Sequence, residues 1–126
     1  LEHFRHKRAF AGWQPQVLED YIDHGTLDDE HGQRVLAFDR DVETAIYNTL
    51  PHHLAALLKR HPLKMPLTFI GGTRSAEIRQ AGLAATHKLA HGRVTMLEGS
   101  HHFPMEKPAV AAAAVEVAVM EMRGAD

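Results

Sequence analysis

The residues whose types and spacing suit chemistry lie together near the end of the sequence. Residues 97–108 read Leu-Glu-Gly-Ser-His-His-Phe-Pro-Met-Glu-Lys-Pro and follow an apolar run typical of a buried strand. Histidine can take up and release a proton near neutral pH. Gly99 allows a tight turn, so that His102, three residues later, is expected at the carboxyl end of a sheet. This stretch therefore predicts a loop histidine at the position where α/β proteins place their functional sites.

Two short apolar runs and the segment between them would position that loop. Residues 66–70 and 93–97 are predicted strands, and residues 75–90 are a predicted helix with Ser75 as its N-cap. Pro108 then begins a final helix that is rich in alanine and valine. A strand, a helix and a strand joined by such short links form a right-handed unit with parallel strands. The predicted fold class is therefore α/β.

The chain divides into two parts of different character. Residues 1–62 are polar, rich in histidine and predicted to be helical, whereas residues 63–126 carry the alternation of strands and helices. We therefore predict two segments with a boundary between residues 62 and 63. The second segment holds the histidine loop.

Three helices are predicted in the first segment after its opening turn. Pro15 begins one helix and Gly25 ends it, and the acidic stretch that follows is a predicted loop. Asp39 or Asp41 caps the second helix, and Pro51 begins the third. The first segment is thus interpreted as helical, with that loop and a short apolar run at residues 35–38 between its first two helices.

Two parallel strands are too few to form a stable sheet by themselves. Such strands are apolar on both faces and leave unpaired backbone groups at both edges. We therefore expect a partner that covers the sheet, either a missing N-terminal half or a second copy of the chain. Oligomer formation is the corresponding expectation for the isolated chain.

The histidine stretch resembles the histidine loop of the α/β-hydrolase family, in which Gly-x-x-His-Phe-Pro and a following Glu-x-Pro are typical. The resemblance implies that His102 is the catalytic histidine, while His101 occupies a position that is more often small. Residues 66–72 resemble the strand before the triad acid, and residues 1–50 resemble a helical cap. The resemblance therefore implies the cap and last βαβα portion of a serine hydrolase that acts on an ester, an amide or a related small substrate.

The acid of such a triad is expected a few residues after the first strand. There the sequence has Gly71 and Gly72, then Ala76 at or near the expected position of an aspartate, and Glu77 next to it. A glutamate can orient the imidazole and stabilise its cation. An acidic residue in the first turn of a helix is also favoured by the helix dipole alone. We predict Glu77 as the acid that pairs with His102.

The nucleophile of the family is not found in this sequence. Its serine belongs to a Gly-x-Ser-x-Gly turn, and neither Ser75 nor Ser100 has the flanking glycines. The order serine, acid, histidine puts that turn upstream of Leu1, and the absence of an initiator methionine also suggests a fragment. We expect the chain alone to be inactive. The alternative function is a non-enzymatic, self-associating domain.

Composition excludes several other classes of function. With 126 residues and a net charge of −2, the chain has no electrostatic reason to bind nucleic acid or an anionic membrane. It has no cysteine, no apolar run of about 18 residues and no signal peptide, which favours a cytoplasmic protein. Eleven histidines raise the alternative of a metal-binding module, but no His-Glu-x-x-His pattern occurs. We expect neither a metal nor a cofactor.

Overall fold

The computed structural model describes residues 1–49 and 53–124. Within them the chain is mixed α/β, with one antiparallel and one parallel pair of strands. In chain order the elements are α1 (Glu2–Arg5), α2 (Pro15–Gly25), β1 (Thr26–Asp28), β2 (Arg34–Leu36), α3 (Arg40–Asn48), α4 (Leu54–Arg60), β3 (Phe69–Gly72), α5 (Ala76–Ala81), α6 (Leu83–Leu89), β4 (Val94–Leu97), α7 (Phe103–Glu106) and α8 (Pro108–Arg123).

The chain forms two compact units. Unit one consists of residues Leu1–Phe10 and Pro15–Lys64, and unit two consists of Ala11–Gln14 and Met65–Asp126. The segment Ala11–Gln14 therefore groups with the histidine loop, although it lies within the predicted cap segment of residues 1–62. The backbone N–H of Gln14 donates to the carbonyl of Met105 at 2.9 Å, which anchors this segment to unit two.

Unit one is built around α2, whose predicted limits are confirmed. Pro15 begins the helix and Gly25 ends it, because proline suits the first helical position and glycine the last. Leu18 is the buried residue of this helix. The ring of Tyr21 packs on Phe10, with 5.5 Å between the ring centroids, in a small aromatic cluster.

A short hairpin occupies the stretch that was predicted as a loop. β1 and β2 pair antiparallel, with Thr26 opposite Leu36. A carboxylate oxygen of Asp29 closes the connection by accepting hydrogen bonds from the backbone N–H groups of His31 at 2.9 Å and Gln33 at 2.8 Å. The hairpin was not predicted from this loop and apolar run, because strands of three residues are too short to show an alternating pattern.

The next two helices follow the pattern in the sequence. Asp39 is the N-cap of α3, and its side chain accepts hydrogen bonds from the backbone N–H groups of Asp41 and Val42. The structure therefore selects Asp39 from the two predicted caps. α4 ends at Arg60, before the proline that excludes further helix. The predicted helix start at Pro51 lies outside the described residues.

Unit two contains the parallel pair that the sequence predicts. β3 pairs with β4 from Phe69 opposite Val94 to Gly72 opposite Leu97, and α5 and α6 connect the two strands. β3 begins at Phe69 rather than Pro66 and continues through both glycines. Glycines weaken a strand in general, and in a strand they often mark a site where another part of the chain approaches closely. A Cβ on Gly71 would meet the side chains of Ile78 and Phe69, and one on Gly72 would meet the backbone of Gly99 and Ser100.

The helix predicted over residues 75–90 is divided at Gly82. This glycine has φ +79° and ψ 140°, a conformation that other residues rarely adopt, and it separates α5 from α6. The predicted N-cap is confirmed, because the hydroxyl of Ser75 accepts a hydrogen bond from the backbone N–H of Ile78 at 3.1 Å. The crossover therefore consists of two short helices, of six and seven residues, rather than one.

Little of the chain is buried, and the buried residues of unit two are small. The chain exposes 9931 Å², whereas two separate folded units of half its mass would together expose roughly 8,100 Å². Large apolar residues of α8 remain exposed: Val110, Val115, Val117, Val119 and Met120. Among the described residues, the helices are too short or too polar to cross a membrane.

Candidate active site

The candidate site lies where β3 and β4 end and their following loops meet. The backbone N–H of Thr73 donates to the carbonyl of Leu97 at 2.8 Å, and that of Arg74 donates to the carbonyl of Gly99 at 2.9 Å. A Cβ atom added to Gly72 would overlap the carbonyl oxygen of Ser100. The glycine is therefore required, since it allows the histidine loop to lie directly on the end of β3.

A cluster of three polar side chains forms across this contact. The Ser75 hydroxyl is 1% exposed, and its Oγ lies 3.0 Å from Oε2 of Glu77 and 3.0 Å from Nδ1 of His101. Nδ1 of His101 also lies 3.6 Å from Oε2 of Glu77. Glu77 and His101 are both about half exposed, whereas the serine between them is buried. The three side chains thus join the first turn of α5 to the histidine loop.

His102 has a different neighbour. Its ring lies edge-on against the ring of Trp13, with 5.8 Å between the centroids and an interplanar angle of 90°. Its backbone N–H donates to Oγ of Ser100 at 3.0 Å. The rings of His101 and His102 are 6.1 Å apart. The structure thus brings Glu77 into contact with His101, and the pairing of Glu77 with His102 stays a prediction.

Glu106 holds the histidine loop in shape. Its carboxylate accepts a hydrogen bond from the backbone N–H of Ser100 at 3.1 Å and another from the Ser100 hydroxyl. The side chain of Glu106 is only 13% exposed, and the Arg74 guanidinium lies 3.8 Å away. Gly99 has no Cβ, which would meet Phe103 at 2.6 Å. The loop can therefore close over this carboxylate.

Electrostatic surroundings keep the carboxylates of the loop ionised. The Ser100 hydroxyl is the main cause that lowers the pKa of Glu106, and it outweighs the burial that raises it. Hydrogen bonds from Lys107 and Arg74 lower the pKa of Glu98 on the solvent side of the loop. The pKa of Glu77 is lowered first by its own backbone N–H and then by the Ser75 hydroxyl.

A cavity of about 270 Å³ opens beside the cluster. Its wall is mostly apolar, and its polar residues are Thr86 and two members of the cluster: the lining residues are Phe69, Ile70, Glu77, Ile78, Gly82, Thr86 and His101. An apolar pocket with a few convergent polar groups is the usual form of a small-molecule site. This arrangement can hold a small apolar group next to a carboxylate and an imidazole.

Two residues of the candidate site, Ser75 and Glu106, were not predicted as site residues from the sequence. Ser75 was predicted only as a helix cap, and Glu106 only as part of the Glu-x-Pro that leads into the last helix. In the sequence Ser75 lies two residues before Glu77, and Glu106 lies six residues after Ser100. Neither spacing is informative until the burial of the side chains is known.

No group of three or more histidine and acidic side chains in residues 1–49 and 53–124 is arranged to hold a metal ion. Comparisons with protein-family models, with curated proteins and with solved structures found no match. The residues and the geometry of the site are therefore the basis for a functional proposal.

Proposed function

We propose that this chain is the histidine-bearing part of a serine hydrolase of the α/β type, with an ester, an amide or a related small molecule as substrate. The observation that carries the proposal is the histidine loop at the carboxyl ends of a parallel strand pair, where α/β proteins bind their ligands. The cavity next to Glu77 and His101 supports a small substrate with an apolar group.

In this proposal His102 is the general base toward a serine and then the general acid toward the leaving group. Glu77 holds the reactive tautomer of the imidazole, and Glu106 keeps the loop in place through Ser100. The serine has to come from outside these 126 residues, because none of their serines lies in a Gly-x-Ser-x-Gly turn. The cytoplasm is the proposed location of the complete enzyme.

A second candidate function is a self-associating domain without enzymatic activity. The exposed apolar side chains of α8 and the exposed surface of 9931 Å² favour it. The same observations also fit a hydrolase fragment that pairs with a missing half. Exposed surface alone therefore does not separate the two functions, whereas the role of His102 does.

The test uses a complete enzyme that carries this chain, with sequence upstream of Leu1 that supplies the serine turn. Hydrolysis of p-nitrophenyl butyrate is measured for the wild type and for His102→Ala. The variant should lose several orders of magnitude in kcat/KM, since members of a triad act as a unit. His101→Ala is the matched control and should lose far less.

Three results would count against the hydrolase. They are an upstream sequence without a serine turn, equal losses from the two histidine variants, and full turnover in His102→Ala. A Glu77→Gln enzyme with near-normal turnover would remove only the proposed acid. For the isolated chain we expect no hydrolysis above the rate with free imidazole at the same concentration.

A further inference from the structure

In the cluster of Ser75, Glu77 and His101, the positions of the protons can be inferred, because a hydroxyl has a fixed number of hydrogen-bond donors and acceptors. A serine side chain offers one proton and two lone pairs. One lone pair of Ser75 accepts the backbone N–H of Ile78 at 3.1 Å. The other two contacts of the hydroxyl, to Glu77 and to His101, must therefore share one proton and one lone pair.

The carboxylate of Glu77 determines which of the two contacts uses the Ser75 proton and which uses the lone pair. The pKa of Glu77 is lowered, and an ionised carboxylate can only accept hydrogen bonds. The proton of Ser75 consequently goes to Oε2 of Glu77, 3.0 Å away. If the proton went to His101 instead, two sets of lone pairs would face each other across that distance. The remaining lone pair of Ser75 then meets Nδ1 of His101 at 3.0 Å, which requires a proton on Nδ1.

A second distance agrees with this assignment. Nδ1 of His101 lies 3.6 Å from Oε2 of Glu77, so a proton on that nitrogen is also attracted by the carboxylate. In a neutral imidazole a proton on Nδ1 leaves the lone pair on Nε2. The same histidine lines the apolar cavity, so a bound molecule would contact the imidazole.

We propose that Ser75 and Glu77 are positioning residues that hold neutral His101 with its proton on Nδ1, so that Nε2 is a proton acceptor at the cavity. The Ser75 hydroxyl then orients His101 at 3.0 Å, and the carboxylate of Glu77, at 3.6 Å, supports the same tautomer. The inference goes beyond the proposed function, because it concerns a different histidine and needs no serine nucleophile. Glu77 holds His101 in the chain as it stands, whereas its pairing with His102 is proposed only for the complete enzyme.

The tautomer can be measured on the chain as it is. Two-bond ¹⁵N–¹H correlation spectra of the ¹⁵N-labelled chain at pH 8.5 distinguish protonated from unprotonated ring nitrogens, and His101→Ala identifies the signals of His101. In the wild type Nδ1 of His101 should be the protonated nitrogen. A spectrum with the proton on Nε2 would overturn the proposal.

Glu77→Ala provides the decisive variant, because it leaves the helix cap of Ser75 intact. Without the carboxylate the Ser75 hydroxyl can donate to Nδ1, and the ratio of the two tautomers should shift toward Nε2–H by about tenfold. Ser75→Ala should shift the ratio in the same direction but by less, because the attraction of Glu77 for a proton on Nδ1 remains. Ser75→Thr keeps the hydroxyl and should keep the proton on Nδ1. Glu116→Ala removes the same charge from an exposed position on α8 and should change nothing.

An unchanged ratio of the two His101 tautomers in Glu77→Ala would refute the positioning role, whether or not Ser75→Ala folds. None of these spectra depends on hydrolysis. A failure here therefore leaves the test of His102 in the complete enzyme untouched, and a failure of that test leaves the assignment of His101 standing.

Discussion

Replacing Glu106 with glutamine tests whether this carboxylate holds the histidine loop together. The wild-type side chain accepts two hydrogen bonds from Ser100, one from the backbone N–H and one from the hydroxyl. An amide of the same shape keeps one acceptor oxygen but turns a donor toward the second partner. Glu106→Gln can therefore keep both contacts only if the Ser100 hydroxyl accepts from the amide N–H, and both hydrogen bonds lose their charged partner.

The expected loss of unfolding free energy is about 2–3 kcal/mol. A hydrogen bond to a charged group contributes about 1.5–3 kcal/mol, against about 0.5–1.5 kcal/mol for a neutral one, and two such bonds change. Glu106 is only 13% exposed, so water replaces little of this contribution. The contact with Arg74 adds little, because this arginine is more than half exposed and 3.8 Å away. Such a loss is a large part of the total stability of a small domain.

Urea unfolding followed by fluorescence is a suitable assay, because Trp13 is the one tryptophan of the chain and packs against His102 in the same unit. With a slope of about 1–3 kcal/mol per molar urea, the midpoint should fall by roughly 1–2 M. Glu121→Gln makes the same change at an exposed position of α8 and should stay within about 0.5 kcal/mol of wild type. All variants are compared at one protein concentration, since association would shift the midpoint.

The difference in unfolding free energy between wild type and Glu106→Gln should also depend on pH. Folding lowers the pKa of Glu106 from its ordinary value of 4.5, so its ionised form stabilises the folded state. This contribution is complete above pH 4.5 and is lost as the pH falls through the folded-state pKa. The two midpoints should therefore converge in acid. Equal midpoints for Glu106→Gln and Glu121→Gln at pH 7 would refute the reasoning.

Two further predictions concern the loop contact and the state of association. Gly72→Ala should cost at least about 1–3 kcal/mol in thermal unfolding, since its methyl group would overlap the carbonyl of Ser100, whereas Gly124→Ala, whose nearest atom would be 3.8 Å away, should be close to neutral. A stable Gly72→Ala protein with an unchanged melting temperature would contradict the close approach. In sedimentation at micromolar concentration the isolated chain should be larger than 14.0 kDa, because the strand pair is open at its edges. A well-folded monomer would contradict this expectation.

The elements that depend on local signals were predictable from the sequence. α2 has a proline at its start and a glycine at its end, and the crossover has a serine cap, so their starts follow from backbone chemistry. The parallel pairing also followed, because two apolar runs joined by a helix allow few other arrangements. The hairpin did not follow, since its strands have three residues each.

The position of the histidine loop was predictable, but its hydrogen bonds were not. Sequence register selects His102, three residues after Gly99, and carries no information on which imidazole reaches Glu77. That choice depends on the loop lying against the end of β3, a contact between residues about 28 positions apart, of which Gly72 and Ser100 are the members. Long-range contacts of this kind appear only in three dimensions.

The division of the crossover at Gly82 has a consequence for how this protein can vary among species. The histidine loop is tied to the end of β3 by Thr73 and Arg74, not by α6. No atom lies within 4 Å of a Cβ added at Gly82 or at Gly92, the glycines before and after α6. Insertions and deletions in related genes should therefore collect at these two glycines, while the spacing from Gly72 to Ser75 stays constant.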